Sequence, residues 1–311
     1  MTKAGFRRSV PKSGLLLVMV LTIAAGATGQ DVLTVPFNLE RDKVIIPTSV
    51  NGSRPLKLIL DTGMGFDGVY LFHKSALGLI DTTGAIEVRV PGAGGGEPST
   101  ATMIETGRLG FGEVSVTGQR VLVSHSPHTQ SFPTDGVIGW NLFGHYVVEI
   151  DYDRQRILLR DTAYVPTDSS WARVPVEMRR NLPFFDLTVE VTSGEVVPMR
   201  VYIDLASSDA LELLVSPAQK FTMPDNLEEG YLATGLSGDI HGQTGRSERA
   251  RIGEFEVHDI PTVFAPAAVR SKQEGADGIL GNAFVRRFNI IFDYPHSSLW
   301  IRPNKTFDLP F

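Results

Sequence analysis

One nine-residue pattern occurs twice in this chain. Pro55-Leu56-Lys57-Leu58-Ile59-Leu60-Asp61-Thr62-Gly63 is matched by Pro198-Met199-Arg200-Val201-Tyr202-Ile203-Asp204-Leu205-Ala206. Both run proline, apolar, basic, apolar, any residue, apolar, aspartate, and the two acids lie 143 residues apart. Arg108-Leu109-Gly110 is matched at the same offset by Arg251-Ile252-Gly253. Asp135-Gly136-Val137-Ile138-Gly139 is matched by Asp277-Gly278-Ile279-Leu280-Gly281, and Asp151-Tyr152 by Asp293-Tyr294, one residue short of that offset. A period this long exceeds the roughly 20–50 residues of a solenoid unit and marks a duplicated lobe. Each lobe drives an apolar strand into a carboxylate. A desolvated acid is costly unless it is paired or hydrogen-bonded, and two such acids can meet across a pseudo-two-fold axis.

The segments between these landmarks are short, alternating and apolar, broken by Gly, Pro, Asn and Asp. Val44 to Val50, Asn51-Gly52 and Leu56 to Leu60 form a hairpin pattern with a tight turn. The second repeat copies it with Phe185 to Val191, Ser193-Gly194 and Met199 to Ile203. Helical periodicity is confined to short stretches near Phe72 to Leu77, Asn141 to Tyr146 and Asn282 to Phe288. The class is all-β with a few short helices. The expected organisation is a leader at 1–29, a lobe at 30–163, a linker at 164–170, a second lobe at 171–304 and a tail at 305–311. A ligand cleft is expected where the lobes meet.

Residues 1–29 read as a secretory leader. Lys3, Arg7, Arg8 and Lys12 precede an apolar run from Gly14 to Ala25, and Ala27-Thr28-Gly29 offers small residues for cleavage before Gln30. The alternative is an uncleaved N-terminal anchor. No later stretch approaches the roughly 18 apolar residues of a membrane span, so no stable membrane association is expected after leader removal. The chain carries a net charge of −6, and removing the four leader cations takes it to −10, which argues against nucleic acid as a partner. There is no cysteine, which excludes a thiol nucleophile and thiolate metal sites. A chain this long has no need of disulfides for its core. The expected location is periplasmic or secreted.

Apolar-apolar-Asp61-Thr62-Gly63, followed by Val137-Ile138-Gly139, resembles the pepsin-like and retropepsin-like aspartic proteases. Gly136 to Phe143, then Ile150-Asp151-Tyr152-Asp153, looks like the bacterial branch with two retropepsin-like lobes. The resemblance spans nearly all of the chain after the leader. It implies two pseudo-symmetric β lobes around a central cleft, an exported endopeptidase acting on peptides or unfolded protein, a monomer, and no cofactor or metal. It implies Asp61 and Asp204 as catalytic residues. Two carboxylates that close cannot both ionise, so one proton is shared and a bound water is activated between them. It implies supporting roles for Thr62, Gly63 and Ser207. It also implies a substrate flap, for which lobe 1 offers Gly92, Gly94, Gly95 and Gly96, and lobe 2 offers Gly235 and Gly238. Either tip could gate the cleft or be an ordinary glycine loop.

Lobe 2 departs from the family pattern at Leu205, where threonine is expected, and at Ala206, where glycine is expected. Leu205 cannot make a hydroxyl bond, and Ala206 would be strained if its position required positive φ. Leu205→Thr is expected to be well tolerated if the loop keeps the family backbone. Two other readings therefore stand beside the enzyme: a non-catalytic peptide-binding protein, and a homodimer that uses only Asp61. Gly63-Met64-Gly65-Phe66-Asp67-Gly68 also fits a dinucleotide fingerprint, but no βαβ alternation follows it.

Overall fold

The computed structural model describes residues 31–270 and 275–311; the leader expected at 1–29 lies outside the described residues. The chain forms three sheets. Two have eight strands each, built from residues 38–138 and 177–281, and they repeat one another strand for strand. In the first, Leu56–Leu60 pairs in parallel with Gly136–Ile138, which pairs antiparallel with Val69–Leu71. In the second, Val196–Asp204 pairs in parallel with Gly278–Gly281, which pairs antiparallel with Leu211–Val215. The fold is all-β, with two pseudo-symmetric lobes. The dinucleotide reading fails here, because Lys74–Leu79 after the glycine run is only a 3-10 turn in an all-β lobe.

The landmarks of the repeat turn out to touch. The Lys57 amide donates to Asp135 Oδ2 at 2.7 Å, and the Arg200 amide donates to Asp277 Oδ2 at 2.7 Å. Each aspartate thus anchors the start of its lobe's central strand, which explains why acid and strand recur together. Asn51 and Gly52 both take positive φ, 51° and 81°, as the tight hairpin requires. The expected helices shrink to single turns: Lys74–Leu79, Trp140–Phe143 and Asn282–Val285.

The third sheet joins the halves. Its six strands run Asp31–Pro36, Arg156–Arg160, Val147–Asp151, Phe288–Asp293, Ser298–Pro303 and Ala172–Pro175. The middle pair is antiparallel, with Val148 opposite Phe292 and Ile150 opposite Ile290, so equivalent strands of the two repeats meet at the pseudo-axis. Phe143 of the first repeat packs edge-on against Phe292 of the second, with ring centroids 5.0 Å apart, and both are buried. Burying such a side chain stabilises by about 1.5–3 kcal/mol, and one apolar core runs through both lobes and the shared sheet. Residues 305–311 fold back onto this core. Phe307 packs on Phe288, and Arg287 donates to the carbonyls of Phe307, at 2.7 Å, and Leu309.

Candidate active site

Both strand-end acids sit on the floor of one cavity between the lobes, of about 1170 Å³. Their loops are built alike. The Gly63 amide donates to Asp61 Oδ1 at 2.7 Å, and the Ala206 amide donates to Asp204 Oδ1 at 3.0 Å. Asp204 lies against the other loop: a Cβ on Gly63 would come within 3.0 Å of the Asp204 carboxyl carbon. A side chain at Gly63 would press on Asp204, which would have to give by a few tenths of an ångström. Neither Gly63 nor Ala206 has positive φ, so the alanine of lobe 2 carries no backbone strain. Gly139 and Gly281 answer the same need below: a side chain on Gly139 would strike the Asp61 carbonyl, and one on Gly281 the Asp209 carbonyl.

Thr62 reaches across the pseudo-axis. Its hydroxyl donates to the Ile203 carbonyl at 2.7 Å and accepts from the Leu205 amide at 3.1 Å. Leu205 makes no reciprocal contact of this kind. Its side chain is fully buried in the main core, which the sequence reading of a harmless Leu205→Thr did not anticipate. Ser207 supports Asp204 through its amide, at 3.2 Å, while its hydroxyl donates to Asp209 Oδ2 at 3.2 Å.

Two tight turns, each with successive residues at positive φ, lock the lobes together: Arg41-Asp42 and Arg180-Asn181. The first reaches into lobe 2, where Ser208 Oγ donates to the Arg41 carbonyl at 2.8 Å and Arg286 pairs with Asp42 at 2.8 Å. The second reaches into lobe 1, where Asn181 Nδ2 donates to the Gly65 carbonyl at 2.8 Å.

The electrostatics are lopsided. Asp61 is pushed up to about 7, first by burial and then by the negative charge of Asp204, against the pull of the Gly63 and Met64 amides and Lys43. Lys43 Nζ donates to the Ala206 carbonyl, on the Asp204 loop. Burial draws the Lys43 ammonium below its ordinary value, while Asp204, Asp209 and Asp61 hold it up. Arg270 lies 3.7 Å from Asp204 Oδ2 and makes a two-pronged bond to Glu212, at 3.0 and 2.7 Å. Burial works against the Arg270 charge, but Glu212, Tyr202 and Asp204 outweigh it and hold the guanidinium well above its ordinary value.

The cavity has a roof made from both lobes. The tip between Ile86–Val90 and Ser99–Phe111 meets the hairpin tip between Glu228–Gly235 and Gly238–Ile252. The Gly96 amide donates to the Ser237 carbonyl at 2.8 Å, and the Ser237 amide donates to the Ala93 carbonyl at 3.0 Å. Gly92 and Gly235 line the cavity, whereas Gly94 and Gly96 lie at the seam against Ser237. Gly238, beside Ser237, turns the lobe 2 tip at φ +114°, and Gly95 faces open space. The lobe 1 tip is also tied to the segment carrying Arg270, through the Gly94 amide and the Val269 carbonyl at 3.3 Å.

Sequence reasoning missed Lys43, Glu212 and Arg270. Glu212 left one signal, an acid inside the apolar run Leu211-Glu212-Leu213-Leu214. Among the described residues, no group of three or more histidines and acids is placed to hold a metal.

No protein-family model matches the chain, and no curated protein does. Among solved structures, the aspartic proteinase from Irpex lacteus superposes with a TM-score of 0.54 over 89% of this chain and 98% of its own. The sequences are 13% identical, so the likeness shows the fold: a pepsin-like architecture of two β lobes around a cleft.

Proposed function

We propose that this chain is an exported aspartic endopeptidase, with two retropepsin-like lobes, that hydrolyses peptide bonds in extended or unfolded polypeptides. Asp61 and Asp204 act as one dyad. The observation that carries this reading is two strand-end carboxylates, one from each lobe, lining one roofed cavity, with Asp204 against Gly63 of the other loop and Asp61 raised to about 7. One carboxylate takes a proton from water as the water oxygen bonds to the scissile carbonyl carbon. The other acid gives its proton to the carbonyl oxygen. The tetrahedral diol then collapses, the C–N bond breaks, and a proton passes to the leaving nitrogen. The dyad supplies that proton and takes one back from a diol hydroxyl, so the products are one carboxylic acid and one amine and the dyad returns to its single shared proton. Gly63, Ala206 and Ser207 amides orient the two carboxylates, and Thr62 holds their loops in register. The enzyme works as a single chain without metal or cofactor, and the roof opens to admit substrate.

The test is hydrolysis of a denatured, dye-labelled protein across roughly pH 3 to 8, the span over which such a dyad can hold one proton. Turnover that pepstatin blocks supports the enzyme. Binding of peptide without turnover at any pH supports the peptide-binding reading instead. Export is tested by the mature N-terminus, expected near Gln30 in the periplasm or medium; retention of Met1 points to an anchor.

A further inference from the structure

The two acids occupy equivalent positions in matched sheets, yet among the described residues only Asp204 has a cation within ion-pair distance, whereas Asp61 feels Lys43 from further off. Lys43 bonds the Asp204 loop, and Arg270 Nη1 faces Asp204 Oδ2 at 3.7 Å. Arg270 cannot lose its charge under ordinary conditions. Its pairing with Glu212 orients that charge: the carboxylate grips Nε and Nη2, and Nη1 is left toward Asp204. Both partners are largely buried, with side chains 12% and 5% exposed, so little water screens the field.

We infer that Arg270, clamped by Glu212 and joined by Lys43, is a positioning residue that fixes the negative charge of the dyad on Asp204 and leaves the shared proton on Asp61. The inference rests on the aspartic-peptidase reading and assigns its two roles. Asp204 is the base that takes the proton of water, and Asp61 is the acid that donates to the carbonyl oxygen. Among the described residues, the groups that face Asp204 are Arg270, Lys43, Asp61 and the buried Tyr202, whose hydroxyl has no hydrogen-bond partner among them; Asp209 and Glu212 stand behind the two cations. Around Asp61, among the described residues, the positions that match Glu212 and Lys43 carry no charge. Tyr70 stands where lobe 2 has Glu212 and is spent on Ser124, and Leu182 stands where lobe 1 has Lys43.

The experiment is the pH profile of kcat/KM for wild type, for Arg270→Lys, and for a double variant, Arg270→Gln with Glu212→Gln, that removes the buried pair together and strands no charge. Loss of the cation makes the base harder to ionise. The acid limb should move up by about one pH unit, an activity loss of about tenfold at a fixed pH on that limb, with a much smaller change at the plateau. Arg270→Lys, which keeps a cation but not the fork that bridges Glu212 and Asp204, should move the limb less than the double variant. A limb that stays put in the double variant overturns the inference, as does a uniform loss at every pH, which would make Arg270 merely structural. A second measurement needs neither turnover nor the double variant. Carboxyl 13C NMR of aspartate-labelled protein, with the resonance of Asp209, which burial also pushes up, identified in both variants, should show a further site carboxyl that keeps its proton above pH 5 in Asp204→Asn and not in Asp61→Asn. The reverse pattern overturns the proton assignment. Absence of hydrolysis in wild type, by contrast, counts against the peptidase and leaves the NMR result to decide the charge placement.

Discussion

The loops that carry Asp61 and Asp204 share a backbone plan and differ in what surrounds it. In the sheets, Ile59 and Tyr202 sit at matching register, opposite Val137 and Ile279. So do Tyr70 and Glu212, opposite the same two partners. The hairpins Asn38–Glu40 to Lys43–Val50 and Glu177–Arg179 to Leu182–Glu190 present Lys43 in one lobe and Leu182 in the other. Across the axis, Thr62 makes two buried hydrogen bonds where Leu205 buries a hydrocarbon. The departures from symmetry therefore divide the labour. Lobe 1 supplies the polar tie and an acid with no cation within ion-pair distance among the described residues. Lobe 2 supplies apolar packing and a cation-flanked acid.

The largest test of that division is deletion of either acid. Asp61→Asn and Asp204→Asn should each lower the hydrolysis of unfolded protein on the order of 10³-fold or more, and the double variant should lose little further, because the acids act as one unit. Initial rates on one substrate decide it. Turnover that survives Asp204→Asn would reduce lobe 2 to a scaffold and revive the homodimer.

The tie can be broken from either side. Thr62→Val strands a buried carbonyl at Ile203 and a buried amide at Leu205, and should cost about 2–4 kcal/mol in urea unfolding. Leu205→Thr should also destabilise, by about 1–3 kcal/mol, because it removes packed hydrocarbon and buries a hydroxyl. Equal stability of Leu205→Thr and wild type would mean that the hydroxyl finds the Leu60 carbonyl and that a symmetric tie is available.

The burial of Asp61 beside Asp204 has a signature in stability. Its proton is held up to about 7 in the folded chain, against 3.8 for the free group. Between those values the folded state binds the extra proton. The contribution of Asp61 is complete below about pH 4 and is lost as pH rises through 7. Wild type should lose on the order of 2 kcal/mol more than Asp61→Asn between pH 4 and 7.5, read from paired urea curves. A wild-type slope equal to that of Asp61→Asn would remove the contrast between the two acids.

The smallest effect lies in the roof, where the lobes meet as near equals. Gly94 has φ +126°, and a Cβ there would come within 2.6 Å of the Ser237 carbonyl carbon. Gly94→Ala should weaken the seam by about 1 kcal/mol and lower kcat/KM a few-fold without altering the unfolding midpoint. An unchanged kcat/KM would mean that substrate enters without parting this seam.

The repeated pattern by itself determined much of this protein. Strand alternation fixes which side chains face inward, so two apolar strands ending on aspartate dictate two lobes with buried acids at equivalent places. The Asn51-Gly52 turn was legible because it acts within a few residues, and Asp135 and Asp277 were legible as recurring landmarks, though not as anchors of Lys57 and Arg200. The shared sheet, the meeting of the two roof tips and the cations beside Asp204 were not. Lys43 touches Ala206 at a separation of 163 residues, and Arg270 bonds Glu212 at a separation of 58. Local propensity and periodicity carry no record of such meetings. They are set when two twisted sheets dock about an axis and bring charges from distant segments into one poorly hydrated space, where their mutual energies become large enough to assign a proton.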